Sequence, residues 1–539
     1  MSIPSSEVAH PGAQHLESGC SGQWSSGRIA KLLLVPMLVL QVGFFSFVAL
    51  HRYIDADEGF YLLASRLVLM HKKPYVDFLF EQAPLLPYLY GFWIRCFGIS
   101  WTSARLCSAF LTAVLGTLLY EDVCRQTQNY VVGFFSVVLF AASTLVFGFF
   151  PVAKPYSLAG LLLLGAYVIV SRLSTTSPGW LAGTGGLLFG FSIETRSYLL
   201  LLTPVFVLWI LRNVNRTTRW QAIRWFLVGV LVSNLLALYL FFCSPDKFLF
   251  SNIGFHAIRS DGGLVGMWEQ KFVVLLVTFL GGWESNGIQT SILFFISLGL
   301  LLIIRERHFR PRLAFQIAVA LGIISLLPTP VHPQYFCLCM PFLVLSTVCV
   351  ASKFISDLES KRARQIAAAG CAGLLVIYLA ASVKDFRGYL ITGAGVPGVE
   401  LSVERADWTL QRVTEVSSAI DEIARPGESV ASFWPGYLFQ TQTNPVPGFE
   451  ADYGLLVAGK LTAEQRARYH VLSEGDIEEG FASHRPRIVV LRNQIPLQGG
   501  RLLRSLLETE NTLRKSLPAH QYSVVRSIGG VSIYAYSPK

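Results

Sequence analysis

The amino-acid sequence predicts an α-helical polytopic membrane protein of about eleven transmembrane helices, closed by a soluble α/β domain at its C-terminus. Three observations lead there. Hydrophobic residues make up 53% of the 539 positions and charged residues only 14%, against roughly 25% in a soluble domain. Apolar runs close to the length of a bilayer crossing recur from residue 31 to residue 382. Beyond Glu400 the pattern changes to alternating charged and apolar residues.

The runs lie at about 31–49, 101–120, 130–150, 155–171, 179–193, 197–211, 225–243, 284–304, 313–328, 335–351 and 365–382. Between Lys271 and Ile304, Trp283-Glu284-Ser285-Asn286 interrupts two apolar pieces, a pattern that also suits a re-entrant or interfacial segment. Lys and Arg cluster in alternate loops: Arg28 and Lys31, Arg125, Arg172, Arg212 to Arg224, Arg305 to Arg312, and Lys353 to Arg364. By the positive-inside rule these loops are cytoplasmic, so the net charge of +10 reflects topology and not nucleic-acid binding. The expected organisation is a disordered cytoplasmic tail over 1–28, a membrane unit over 29–385 with non-cytoplasmic loops 51–100 and 244–270, and a soluble non-cytoplasmic domain over 400–539. No small-residue cleavage site follows the first run, so it reads as a retained helix. Eight of the nine cysteines lie in or beside apolar segments, with no disulfide framework or zinc spacing.

In the C-terminal stretch Val413, Val416, Ile420 and Ile423 recur at helical spacing before a strand-like Ser429 to Phe433. Arg487 to Leu491, and Tyr522 to Arg526 joined to Val531 to Tyr536 through Gly529-Gly530, supply further strands. Trp434-Pro435-Gly436-Tyr437 reads as a turn, either structural or binding. Asn215-Arg216-Thr217 matches a glycosylation sequon but falls in a cluster placed in the cytoplasm.

The chemistry concentrates in the first large loop, which holds Asp55, Asp57, Glu58, Asp77 and Glu81. Phe60, Leu63, Ala64, Leu67 and Met70 recur at helical spacing, with Glu58, Tyr61 and Ser65 on another face, which predicts an amphipathic helix lying on the membrane surface. Asp55 or Asp57 can cap that helix while its neighbours are solvated. Alternatively, carboxylates beside apolar walls supply a general base, a divalent-cation site, or both. Spacing alone leaves these open.

Asp57-Glu58 just after the first helix, followed by a surface helix, Tyr75-Val76-Asp77 and Glu81-Gln82-Ala83-Pro84-Leu85, resembles the GT-C glycosyltransferases. The closest type is the protein-mannosyltransferase-like branch, which includes bacterial aminoarabinose and lipopolysaccharide-core sugar transferases. The resemblance covers about residues 30 to 385 and implies a GT-C-like fold, while the cytoplasmic N-terminal tail and the C-terminal domain suit a bacterial inner membrane. It also implies transfer of a sugar from a polyprenyl-phosphate donor to a glycan, lipid or protein acceptor on the non-cytoplasmic face. By it Asp57 is the catalytic carboxylate, Glu58 stands beside it, and Asp55, Asp77 and Glu81 belong to the substrate site. Where many relatives have Lys-Pro-Pro, this chain has Gln82-Ala83-Pro84, so a lysine expected near the donor phosphate is missing. Either another cation serves or the donor differs.

Lys154, Arg196 and Arg259 sit at outer helix ends and are candidates for that cation. Lys154 can snorkel and Arg196 can pair with Glu194. Tyr335, in His332-Pro333-Gln334-Tyr335 at the outer end of a late helix, resembles a family position with an aromatic or basic residue before a Pro, counts among the substrate-binding candidates, and otherwise reads as an interfacial aromatic. A divalent metal ion held by Glu58, Glu81 and His256 is the other way to meet the phosphate charge, although His256 also reads as an ordinary surface histidine. The expected reaction is inverting, with Asp57 taking the proton of the acceptor hydroxyl. Two rivals stand beside it: another lipid-carrier-dependent transferase or ligase, and a transporter without chemistry. A transporter places its ionisable residues near the midplane, often in inverted repeats, whereas this chain gathers them in a loop and shows no repeat.

Overall fold

The computed structural model describes residues 27–174, 179–259, 263–279, 285–304, 306, 309–397, 399, 404–492 and 501–538. The tail expected over 1–28 therefore lies outside the described residues except for its last two, and so do Trp283 and Glu284 of the expected interruption.

A helix lies on every apolar run. In chain order the helices are α1 (Leu34–His51), α2 (Ala56–Leu69), α3 (Leu85–Phe97), α4 (Trp101–Thr127), α5 (Tyr130–Ala141), α6 (Thr144–Phe149), α7 (Tyr156–Val170), α8 (Gly179–Thr195) and α9 (Thr203–Asn213). They continue with α10 (Arg219–Ser233), α11 (Leu235–Cys243), α12 (Gly263–Phe279), α13 (Ser285–Ile303), α14 (Arg310–Ile324), α15 (Met340–Asp357) and α16 (Lys361–Arg387). Length is where the expectation of eleven spans is not met. Among the described residues only Leu34–His51, Trp101–Thr127, Pro333–Asp357 and Lys361–Thr392 are long and apolar enough to cross a bilayer. A fifth is added if α10 and α11, bent by 48°, form one span. Several others are apolar but shorter than the roughly 20 residues a crossing needs.

The bundle packs through small residues. A Cβ on Gly186 would meet Phe226 O at 1.9 Å and one on Gly229 would meet Gly183 O at 2.1 Å, so α8 and α10 lie backbone to backbone. At the break after α10, Asn234 Nδ2 donates to Val230 O at 2.8 Å, and Glu194 Oε1 accepts the Ala237 amide at 2.8 Å, an orphan donor of the first turn of α11. Helix α4 ties the two ends together. At one end Trp101 stacks on Trp434 with ring centroids 5.7 Å apart. About 30 Å along the helix, buried Asp122 accepts from Arg172 at 2.6 Å and Arg310 at 2.7 Å, clamping α7 and α14 to α4.

The C-terminal unit is built from α17 (Leu410–Ile423) and a five-stranded sheet of β1 (Ser429–Ser432), β2 (Asn444–Pro445), β3 (Ile488–Arg492), β4 (Tyr522–Ile528) and β5 (Val531–Tyr536). The order is β2-β1-β3-β5-β4, with β1 parallel to β2 and β3 and the β4–β5 hairpin antiparallel at the far edge. The strands expected from sequence are present, and the two-residue β2 is the addition. Phe433, Phe449, Phe481, Val489, Leu491 and Tyr522 fill the core on one side of the sheet.

Helix α2 departs from the expected surface helix. Its residues from Glu58 to Leu67 are buried all round, including Glu58, Ser65 and Arg66. The membrane bundle covers one side of it and the C-terminal unit the other. Arg66 donates to Leu438 O and Thr443 O at 2.5 Å each, and Trp434 Nε1 donates to Ala56 O at 2.9 Å. A Cβ on Gly59 would meet Gly436 N at 2.6 Å. Trp434-Pro435-Gly436-Tyr437 is thus a docking turn against α2.

Candidate active site

Asp55 caps α2. Its Oδ1 accepts the Asp57 amide at 3.1 Å, while its own amide donates to Glu58 Oε1 at 2.8 Å, a reciprocal capping box. The cap is held from downstream as well: Tyr53 N donates to Tyr389 O, Ile54 N to Trp408 O and Ala56 N to Pro397 O. The two readings left open by sequence therefore divide between neighbours. Asp55 is the cap, and Asp57, one residue inside the helix, is free for other work.

Glu58 takes a different place from the one expected beside the catalytic carboxylate. It is fully buried, and Arg105 of α4 donates to it twice, from Nε to Oε2 at 2.9 Å and from Nη2 to Oε1 at 2.6 Å. The Ala153 amide adds a bond to Oε2 at 3.0 Å. Every direction in which its oxygens accept is filled, so Glu58 locks the motif to the bundle. Arg105 also donates to Ala49 O and Arg52 O at 2.8 and 2.6 Å. A charged residue inside the apolar run of α4 was a sequence signal for this role, because buried intramembrane charge needs a named partner.

Asp57 is the one carboxylate of the motif with an open side, its side chain 28% exposed. Lys154 Nζ lies 2.8 Å from Asp57 Oδ2, 2.7 Å from Asp55 Oδ1 and 2.7 Å from Gln334 Oε1. An ammonium has three donors, and these three acceptors take them all. Lys154 therefore holds the two aspartates together and has no donor left for a phosphate. Tyr453, from the C-terminal unit, donates its hydroxyl to Asp57 Oδ1 at 2.5 Å. Burial works against the Asp57 charge, but Lys154 and the hydrogen bonds from Lys154 and Tyr453 outweigh it and hold the carboxyl far below the usual range.

Around this pair stand two arginines. Arg196 donates from Nη1 to Gln82 Oε1 at 3.1 Å and from Nη2 to the Tyr156 hydroxyl at 2.8 Å, and its guanidinium faces the rings of Tyr156, Tyr198 and Tyr335 at 4.8, 5.7 and 5.7 Å. It turns away from Glu194, which serves the α10–α11 break. The glutamine standing where a lysine was expected thus abuts an arginine, and the positive charge comes from another element. Arg259 donates from Nε to Thr329 O at 3.1 Å.

Glu81 is buried, and its Oε2 has no hydrogen-bond partner among the described residues. Burial pushes its pKa up to about 8, and nearby Asp452 and Asp57 push the same way. Asp452, beside Tyr453, is raised to about 7, chiefly by burial. His256 Nε2 lies 3.0 Å from the backbone oxygen of Glu81, not from its carboxylate. Among the described residues no three His, Cys, Asp or Glu side chains are grouped to hold a metal ion. The donor set does not suit a divalent ion: Asp55 and Asp57 already bracket an ammonium, and His256 faces the Glu81 backbone and not its carboxylate. Asp77 is not brought to the site either. It is exposed, and its carboxylate accepts the Lys73 amide at 2.7 Å to close a turn. Tyr453 and Asp452 were invisible to sequence reasoning, because nothing in a half-polar segment some 400 residues downstream marks it as a neighbour of Asp57.

No model of a protein family matches the chain, and no curated protein matches it. Solved structures do. ArnT from Cupriavidus metallidurans bound to undecaprenyl phosphate superposes with a TM-score of 0.63 at 14% identity, over 94% of this chain and 98% of that one. The same protein in the apo state gives 0.64 at 13% identity, over 95% and 100%. The archaeal oligosaccharyltransferase AglB from Archaeoglobus fulgidus, in complex with an inhibitory peptide and a dolichol-phosphate, gives 0.50 at 14% identity, over 96% of this chain and 74% of that one. At such identities the likeness shows the fold alone: this chain has the fold of ArnT and, at a lower score, of AglB.

Proposed function

We propose that the protein is an inverting glycosyltransferase that takes a sugar from a polyprenyl-phosphate donor and places it on an acceptor hydroxyl at the non-cytoplasmic face of a bacterial inner membrane. The observation that carries this reading is Asp57: an ionised, part-open carboxylate pinned between Lys154 and Tyr453, with two arginines nearby, at the end of the bundle that bears the C-terminal unit. Solved structures of the same fold bind undecaprenyl phosphate and dolichol-phosphate, which supports a lipid-phosphate donor.

In the proposed reaction the acceptor oxygen attacks the anomeric carbon while its proton passes to Asp57. The bond from that carbon to the phosphate oxygen breaks, and the polyprenyl phosphate leaves with its charge facing Arg196 and Arg259. Arg196 has a rigid fork, pre-aligned by three tyrosine rings, that suits a phosphate better than a flexible ammonium would. Tyr335 belongs to this phosphate wall. Glu81 is kept protonated at neutral pH and offers an O–H donor to the sugar or the phosphate. Asp55 and Glu58 position the motif. No step needs a metal, because the donor set around Asp57 is organised about Lys154.

The test is Asp57→Asn. Asparagine keeps the shape, its amide oxygen still accepts from Lys154 and its amide nitrogen can donate to the Tyr453 hydroxyl, but it takes no proton at neutral pH. Single-turnover transfer from synthetic polyprenyl-phosphate sugars should fall by about 100-fold to 10,000-fold, the usual contribution of a general base, with the thermal midpoint little changed. Transfer within about threefold of the parent rules out Asp57 as the base.

A further inference from the structure

Both oxygens of Asp57 are engaged before any substrate arrives. Lys154 takes Oδ2 and is itself immobilised by Asp55 and Gln334. Tyr453 takes Oδ1, and its ring meets Phe60 edge-on at a centroid distance of 6.2 Å. The phenol is carried on a short turn, Asp452–Gly454, whose last residue lies against Leu79 of the first loop. A general base has to stand within about 2.6 to 3.2 Å of the hydroxyl it deprotonates. The position on Oδ1 that such a hydroxyl needs is held by another hydroxyl, one too acid-resistant to lose its proton at neutral pH because burial and the Asp57 charge push it up.

We propose that Tyr453 is a specificity residue that keeps water off Asp57: its phenol occupies the proton-donor position on Oδ1 and yields only to the acceptor hydroxyl, so the donor sugar is transferred and not hydrolysed. This rests on the glycosyl-transfer reading above. The side reaction it prevents is simple. Water oxygen attacks the anomeric carbon, the bond from that carbon to the phosphate oxygen breaks, the water proton passes to Asp57, and free sugar and polyprenyl phosphate are released. Water is small enough to reach a part-open carboxylate, whereas a whole acceptor docked at the domain interface brings binding energy with which to displace the phenol. The titratable groups facing Asp57 are Lys154 and His332 from the bundle, Asp55, Tyr61 and Glu81 from the first loop and α2, and Tyr453 with Asp452 from the C-terminal unit. Tyr453 is the neutral hydrogen-bond donor to Asp57 among them.

Tyr453→Phe removes one oxygen and leaves the ring packing. In purified full-length protein three quantities are measured: binding of undecaprenyl phosphate, release of free sugar from a panel of synthetic polyprenyl-phosphate sugars (mannose, glucose, arabinose and aminoarabinose) without acceptor, and the pH profile of that release. The proposal expects undecaprenyl phosphate to bind Tyr453→Phe as it binds the parent, and sugar release to rise about tenfold or more, since a freed base contributes about 10² to 10⁴. The acidic limb of the profile should move to higher pH, because Asp57 loses a donor that holds it ionised. Asp57→Asn in the same background should abolish the gain. Release equal to or below that of the parent, with lipid phosphate still bound, overturns the role of Tyr453 and leaves the transferase reading standing. A parent that binds no undecaprenyl phosphate and releases no sugar from any donor overturns the transferase reading and this proposal with it.

Discussion

Lys154 and Glu81 show how two charges in one small site are handled in opposite ways. Lys154 is buried, yet three acceptors compensate the cost of removing an ammonium from water. Glu81 makes no ion pair among the described residues and its Oε2 no hydrogen bond, so burial favours its neutral form. Its folded pKa of about 8 lies above the ordinary 4.5, so the stability it contributes is fully present below about pH 4.5 and is lost as the pH rises toward 8. Glu81→Gln, always neutral, should therefore hold its thermal midpoint across this window while the parent declines, a difference of roughly 2 to 4 kcal/mol by pH 8. Differential scanning fluorimetry at pH 5, 6.5 and 8 measures it, and parallel curves for the two proteins would show that Glu81 is ionised. Asp57, Arg196 and Glu81 were legible in the sequence because rare charges beside apolar runs stand out. The split between Asp55 as cap and Asp57 as the base we propose was not, since both residues suit either role until the backbone direction is known.

At the level of elements, α2 was legible as a helix from its apolar spacing but not in its surroundings. Periodicity reports that a face is apolar and is silent on whether a second body covers the other face. Here the second body does, and the contact is tight enough to exclude a methyl group: Gly59 lies against the Gly436 backbone and Trp434. Gly59→Ala should push the C-terminal unit off α2 and weaken the Trp434 to Ala56 bond, lowering stability by about 1 to 3 kcal/mol. In detergent-purified protein, limited proteolysis should release the C-terminal fragment faster than from the parent. Identical cleavage rates would mean that the contact has slack. The bundle helices were found from hydropathy alone, whereas their lengths were not, because apolar residues continue past a helix end wherever neighbouring chain, not lipid, surrounds them.

For the whole molecule, we propose the sides of the membrane from the alternation of basic loops, and the proposed chemistry depends on them. Asp57 and the C-terminal unit share one end of the bundle, while Asp122 with Arg172 and Arg310 marks the other, where the basic loops gather. A reporter active only in the periplasm should be active when fused after Lys539. Activity from a cytoplasm-only reporter at that point would reverse the assignment and move the active site to the inner face.

The backbone at Tyr53, Ile54 and Ala56 hydrogen-bonds to Tyr389, Trp408 and Pro397, far downstream in the chain. A ribosome making this protein places Asp57 in the membrane first and reaches Trp408 roughly 350 residues later, about 20 to 70 s at 5 to 20 residues per second. Throughout that interval the nascent bundle lacks the struts that orient its motif and the domain that supplies Tyr453. The surroundings of Asp57 are therefore complete only once Tyr453, made 396 residues later, has been added.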